Sequence, residues 1–210
     1  ASAMDIHLHK IENRLFIKPE LNFYNRKNEL YPLSLINRSD FRKHTIVTAP
    51  TGAGKTDFLM KRCKGRVFYT LPFQASINAM YERFKNDLKN TNTEIHLLHA
   101  ASTLKIEREQ IEEKIMQRHI GASVKVLTPH QMASLVFATK GYEALIVDLH
   151  NCDVILDEIH TYSDTIQSIV LKIIEILISL NCRIHIGTAT MSTVLYNHLL
   201  DMLGGKANVY

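Results

Sequence analysis

The sequence predicts an α/β domain of three layers, a mostly parallel sheet covered by helices on both faces, and three observations carry that expectation. Short β-branched runs alternate with amphipathic stretches of about ten residues or more, the rhythm of strand–helix crossovers rather than of hairpins. A glycine-rich turn, Gly52-Ala53-Gly54, joins the first well-defined run to a helical pattern. Polar or turn-forming segments also close the later runs, at the strand ends where parallel sheets bind their ligands.

In chain order, residues 1–4 (Ala-Ser-Ala-Met) read as a scar left by cloning ahead of a start methionine, not as a secretory leader, and are set apart from the fold. Residues 5–40 form an N-terminal extension in which Ile6 and Leu8, then Leu15, Phe16 and Ile17, mark two short strands around Glu12-Asn13. His7 and His9 make a pair, but a metal site needs further ligands, so they read as surface. Tyr31 to Lys43 is expected to hold a helix with Leu33, Leu35 and Ile36 inward.

Residues 41–210 then read as the α/β domain proper. Thr45 to Thr48 is a strand, and Asp57 to Lys64 a helix with Phe58, Leu59 and Cys63 inward, closed by Gly65. Arg66 to Thr70 is the next strand; Leu71-Pro72-Phe73-Gln74 breaks it, and Ile77, Met80, Phe84 and Leu88 recur at helical spacing. Glu94 to Leu98 reads as a third strand, and Ile106 to Arg118 as a charged, solvated helix ended by Gly121. Val124 to Leu127 is strand, Thr128-Pro129 a turn, His130 to Ala138 a helix, and Cys152 to Leu156 an apolar strand entering Asp157-Glu158-Ile159-His160. Ile166 to Leu180 is a helix apolar on nearly every side, hence buried; the strand Arg183 to Ile186 and a last helix, Ser192 to Leu203, complete the domain.

Composition narrows the class. The 210 residues allow one domain or a little more. A formal charge of +4 permits a nucleic-acid partner without requiring one. Cys63, Cys152 and Cys182 are widely spaced with no C-x-x-C pair, so buried thiols in a reducing cytoplasm are expected. The most apolar segment, Ile166 to Leu180, is broken by Gln167, Ser168, Lys172, Glu175 and Ser179, so no membrane partner is expected.

Phosphate chemistry explains the glycine-rich turn. Gly52 and Gly54 lack a Cβ, so in Pro50-Thr51-Gly52-Ala53-Gly54 the backbone turns sharply and aims the successive N–H groups after Pro50, with those of the following helix start, into one concavity. Proline, without an N–H, contributes only shape there. Lys55 adds a point charge for β- and γ-phosphates, and the Thr56 hydroxyl is placed for the accompanying Mg²⁺, so ATP and Mg²⁺ are the expected ligands. The strict phosphate-loop pattern would place glycine where this chain has Ala49. At a later strand end, Asp157 fits the carboxylate that holds Mg²⁺, and Glu158 the group that orients or deprotonates the attacking water. His160 is within reach of a bond toward Thr188 or Thr190. Five such segments, lying between Ala49 and Thr190, are expected to converge on one edge of the sheet.

Ala49-Pro-Thr-Gly-Ala-Gly-Lys-Thr56, Asp157-Glu-Ile-His160 and Thr188-Ala-Thr190 resemble motifs I, II and III of the superfamily 2 helicases, in order. Leu71 to Arg83 and Asp157 to Tyr162 are more specifically similar to the helicase of type I CRISPR interference systems. The resemblance, spanning about Thr45 to Ser192, implies the RecA-like phosphate-loop NTPase fold and ATP-driven movement along single-stranded DNA. It implies partners too: a second helicase lobe, a histidine-aspartate nuclease domain or subunit, and the CRISPR RNA-guided surveillance complex. It gives His160, Thr188 and Thr190 a role in coupling hydrolysis to movement. Motifs Ia and Ib put Pro72, Phe73, Gln74, Ser76, Arg83, Thr128, Pro129 and Gln131 where the family touches the strand's phosphates, contacts that position rather than read. Without the family, Met80, Tyr81 and Phe84 read as core, and Arg83, Lys85 and Lys89 as a solvated face.

The departures have consequences. No glutamine precedes Gln74 to read adenine, Thr188 stands for the usual serine, and Met191-Ser192 for Leu-Pro. No His-Asp dipeptide occurs, which places the nuclease outside this chain, and the sequence ends soon after motif III. The lobe alone is therefore expected to bind Mg·ATP weakly and turn over little, because the arginine a second lobe brings is worth roughly 10³ to 10⁵ in rate. The same lobe of a repair or restriction translocase or of an RNA helicase is one alternative, and a non-catalytic nucleotide-binding scaffold another. Intact Lys55, Thr56, Asp157 and Glu158 count against the scaffold.

Overall fold

Parallel pairing dominates the computed structural model, which describes residues 19, 31–36, 40–97, 123–139 and 142–210. The strands expected around Glu12-Asn13, the His7/His9 pair and the charged helix 106–118 lie outside the described residues. Strands are β1 (Thr45–Thr48), β2 (Val67–Thr70), β3 (Ile95–Leu97), β4 (Val124–Leu127), β5 (Asp153–Asp157) and β6 (Arg183–Thr188). Helices are α1 (Lys55–Arg62), α2 (Gln74–Asp87), α3 (Pro129–Met132), α4 (Ser134–Phe137), α5 (Tyr142–Leu149), α6 (Asp164–Ser179) and α7 (Thr193–Met202). Among the described residues the sheet runs β1-β6-β5-β2-β4-β3, every pair parallel.

Alternation along each strand divides two cores. Val67, Tyr69, Val124, Val126 and Ile155 face α1 and α2, with Phe58, Leu59, Ile77 and Phe84 closing that side. Phe68, Leu127, Val154, Leu156, Ile184 and Ile186 face α3 to α7, meeting Met132, Leu135, Leu149, Ile174 and Leu199. A parallel strand buried on both faces needs both sets. The arrangement is the three-layer, RecA-like α/β fold.

Differences from the sequence reading have local causes. Among the described residues of the range 31–43 no α-helix forms; a 3₁₀ turn, Pro32–Leu35, stands there, opened by proline and ended by extended Ile36. The helix expected over His130 to Ala138 is two short ones, α3 and α4, with Ala138 in the left-handed region (φ 48°) closing the second. Helix α5 had no counterpart in the sequence reading. Helix α6 is buried along one stripe only, Val170, Ile173, Ile174 and Leu177, with Glu175 and Lys172 exposed. No helix among the described residues is long and apolar enough to cross a membrane.

Buried ionic ties fix the amino-terminal ends of the strands. Asp148 of α5 accepts hydrogen bonds from Arg66 at 2.6 Å and from Lys125 of β4. Burial pushes the Lys125 amine below its ordinary pKa, and Asp148 works against that shift. Asp153 accepts from the backbone N–H groups of Lys64 and Gly65, from Arg183 and from His185. Burial favours its neutral form, but the bonds from His185 and Arg183 overcome it and hold the carboxyl far below the usual range.

Candidate functional site

Register alone brings the five segments together. Thr48 pairs with Thr188, Asp157 with Gly187, and Thr70 with both Leu156 and Leu127, so β1, β6, β5, β2 and β4 end at one level. The sheet order divides that edge: the phosphate loop, Thr188–Thr190 and Asp157–His160 occupy neighbouring ends, and Leu71–Gln74 with Thr128–Gln131 occupy the next two.

The loop has the backbone its glycines were expected to give. Gly52 (φ 85°) and Gly54 (φ 88°) are in the left-handed region, which side chains disfavour. The Ala49 N–H donates to the Thr188 carbonyl at 3.1 Å, tying loop to β6, and Thr51 and Gly52 are exposed at its crown. Lys55 begins α1 and is buried. Its Nζ donates to the Ala49 carbonyl at 2.8 Å and lies 3.6 Å from Oε1 of Glu158.

Glu158, the neighbour of Asp157, takes a left-handed conformation (φ 56°) that a non-glycine residue adopts at a cost. Asp157 points inward and is buried; its Oδ1 accepts from the Glu158 N–H at 2.9 Å. Its Oδ2 accepts from the Tyr69 hydroxyl, which also lies 3.4 Å from Thr56 Oγ1. Burial raises the Asp157 carboxyl above its ordinary pKa, and the nearby Glu158 charge adds to that. Thr56, Tyr69 and Asp157, from three different elements, thus form one cluster beside Lys55.

His160 lies beyond, its Nδ1 3.0 Å from Thr188 Oγ1 and 3.3 Å from Glu158 Oε2. Thr188 donates to the Thr190 carbonyl at 2.7 Å, so its hydroxyl can only accept from His160, and Nδ1 carries the proton. The Ala189 N–H, 3.4 Å from the same nitrogen, fits the other tautomer and is the longer contact. The three expected coupling residues are therefore one hydrogen-bonded chain, reached by Thr190 through its backbone.

The other expected group is more dispersed. Phe73 is exposed at the start of α2, with Pro72 and Ser76 half-buried beside it and Gln74 the first residue of the helix. Arg83 pairs with Asp57 of α1 at 2.5 Å and with Asp87 at 3.6 Å. Thr128 and Gln131 form a capping box: Thr128 accepts from the Gln131 N–H, and the Gln131 side chain accepts from the Thr128 N–H at 2.8 Å. Pro129 is buried at the first helical position.

Two residues escaped the sequence reading. Tyr69 was only a strand position, though a phenol inside a strand covered on both faces needs a partner. Gly187 carried a signal in its place before Thr188. A Cβ there would lie 2.6 Å from Asp157 Oδ1 and 2.7 Å from Leu59 Cδ1, so any side chain on β6 at this point would force those buried groups to shift.

The arrangement offers a recessed amine, a buried carboxylate with a hydroxyl nearby, and a second carboxylate that is more open. A family model described as DEAD/DEAH box helicase matches residues 33–197. The CRISPR-associated nuclease/helicase Cas3 of Methanothermobacter thermautotrophicus is 29% identical, over 71% of this chain and 19% of that protein. A putative CRISPR-associated nuclease/helicase Cas3 of Methanocaldococcus jannaschii is 26% identical, over 90% of this chain and 27% of that one. The chain thus spans about a fifth to a quarter of the length of these curated relatives. Among solved structures, T. fusca Cas3 with ADP superposes with a TM-score of 0.72 at 18% identity, over 90% of this chain and 24% of that chain. Its AMPPNP form gives 0.69 at 19% identity over the same shares, a likeness of fold.

Proposed function

This chain belongs to the DEAD/DEAH box helicase family, and on that premise we propose that it is the ATP-binding first lobe of a superfamily 2 translocase acting on single-stranded DNA in CRISPR antiviral defence. The observation that carries the reading is the meeting of Lys55 with Glu158, beside the Thr56–Tyr69–Asp157 cluster, at the rim of a phosphate-loop turn. The Cas3 relatives support the finer assignment to CRISPR defence.

The residues fit a magnesium ion. Thr56 and Asp157 supply the hard oxygen donors that Mg²⁺ takes, and Asp157 is a buried carboxylate bonded to the neutral Tyr69 hydroxyl and Glu158 N–H. When bound, Mg²⁺ would neutralise phosphate charge. Lys55 leaves Glu158 and the Ala49 carbonyl to meet β- and γ-phosphate oxygens, while the N–H groups of the loop and of the start of α1 surround them. Glu158, freed of Lys55, orients the attacking water and accepts its proton. His160 senses that carboxylate and relays through Thr188 to Thr190. Turnover requires the arginine of a second lobe, and the nuclease and the RNA-guided complex act through other parts of the assembly.

The test is ATP hydrolysis by the full-length protein, second lobe included, with single-stranded DNA or RNA of one sequence. Stimulation by DNA is expected. Stimulation by RNA alone replaces this reading with an RNA helicase, and a folded chain that binds no nucleotide leaves only a scaffold.

A further inference from the structure

We infer that Tyr69 is a positioning residue that sets the geometry of both magnesium-facing groups, Thr56 and Asp157; this rests on the nucleotide reading above. Tyr69 is fully buried on β2, where its ring meets Phe84 edge-on with centroids 5.3 Å apart. Filling that space requires only a ring. A hydroxyl carried into this interior must find partners, and those it has are Asp157 Oδ2 and, at 3.4 Å, Thr56 Oγ1. The register accounts for the meeting: Tyr69 pairs with Ile155, and Asp157, two residues further along β5, is on the same face.

Proton counting gives the cluster a direction. An ionised carboxylate only accepts, so the single phenolic proton goes to Asp157, and the remaining bond is made by the Thr56 hydroxyl donating to the phenol oxygen. The Thr56 proton is thereby turned toward Tyr69, and its oxygen lone pairs are left for a cation. Asp157 is held at both oxygens, Oδ2 by Tyr69 and Oδ1 by the Glu158 N–H at 2.9 Å. One phenol thus aligns a hydroxyl from α1 with a carboxylate from β5. It acts by fixing the groups that would hold the metal.

The experiment follows fluorescent N-methylanthraniloyl-ADP binding to the full chain, in EDTA and across a MgCl₂ series, for the parent, Tyr69→Phe, Thr56→Ala and Asp157→Asn. Tyr69→Phe is expected to raise the magnesium concentration for half-maximal enhancement about tenfold more than it weakens metal-free binding, on the scale of one hydrogen bond to a charged group. Reading each variant against its own metal-free affinity cancels any fold-wide loss. An unchanged magnesium requirement in Tyr69→Phe, with Thr56→Ala and Asp157→Asn both raised, overturns the inference and leaves the nucleotide reading standing. Indifference of Thr56→Ala and Asp157→Asn overturns the metal assignment itself, and this inference with it.

Discussion

Lys55 and Glu158 meet at 3.6 Å although their elements are not neighbours: β1, which leads to Lys55, and β5, which leads to Glu158, are separated in the sheet by β6. On that intervening strand Gly187 pairs with Asp157, and its missing side chain leaves room for the Asp157 carboxylate and Leu59. The lysine is recessed, with 6% of its side chain exposed, and the glutamate beside it is more open at 28%.

Glu158→Gln keeps the size of the side chain and removes its charge and basicity. In the full-length protein nucleotide binding is expected to persist, since Lys55 loses a competitor for phosphate, while hydrolysis falls by about 10² to 10⁴. Hydrolysis at the parent rate would remove Glu158 from the chemistry.

Gly187→Ala places a methyl group 2.6 Å from Asp157 Oδ1 and 2.7 Å from Leu59 Cδ1. An overpacked core of this kind costs about 1–3 kcal/mol. A lower melting temperature together with weakened nucleotide binding is expected, because the same methyl displaces Asp157. Unchanged values of both would contradict close packing around Gly187.

Asp148→Ala leaves Lys125 and Arg66 buried without their shared carboxylate. Breaking such a cluster costs about 3–5 kcal/mol, read as a lower midpoint in urea. The nucleotide affinity of the protein that remains folded should be unaltered, since Asp148 belongs to the opposite end of the sheet. A midpoint equal to the parent's would show the cluster to be energetically idle.

Acid should weaken the fold partly through His44. Burial pushes its imidazole from the ordinary 6.5 down to about 4, and its Nδ1 accepts from the Ile184 N–H at 3.1 Å. Below 6.5 the unfolded chain takes a proton that the folded chain refuses, so this contribution is complete above 6.5 and is lost as pH falls toward about 4. The slope approaches roughly 1.4 kcal/mol per pH unit. Urea midpoints between pH 7 and pH 4.5 should fall less steeply in His44→Gln; an equal slope assigns the acid sensitivity elsewhere.

Much of this was legible because parallel sheets declare themselves. Buried strands such as Val124 to Leu127, and the chain reversals after them, placed the candidate groups at one edge before any coordinates. The failures have physical causes too. Helix α5, Tyr142–Leu149, contains Asp148 on a buried position, and that carboxylate obscures the apolar face until its partners Arg66 and Lys125 are seen. Tyr69 and Gly187 matter through contacts across the sheet, which no local pattern records. Thr128 and Gln131 match a motif for strand contact, yet their side chains also complete a capping box.

The central proposal, that Lys55 receives the phosphates of ATP, is tested most directly by titration calorimetry of Mg·ATP into the parent and Lys55→Ala, with circular dichroism to confirm that both are folded. Heat of binding in the parent and none in folded Lys55→Ala is the result expected. Equal affinity in the two would contradict it.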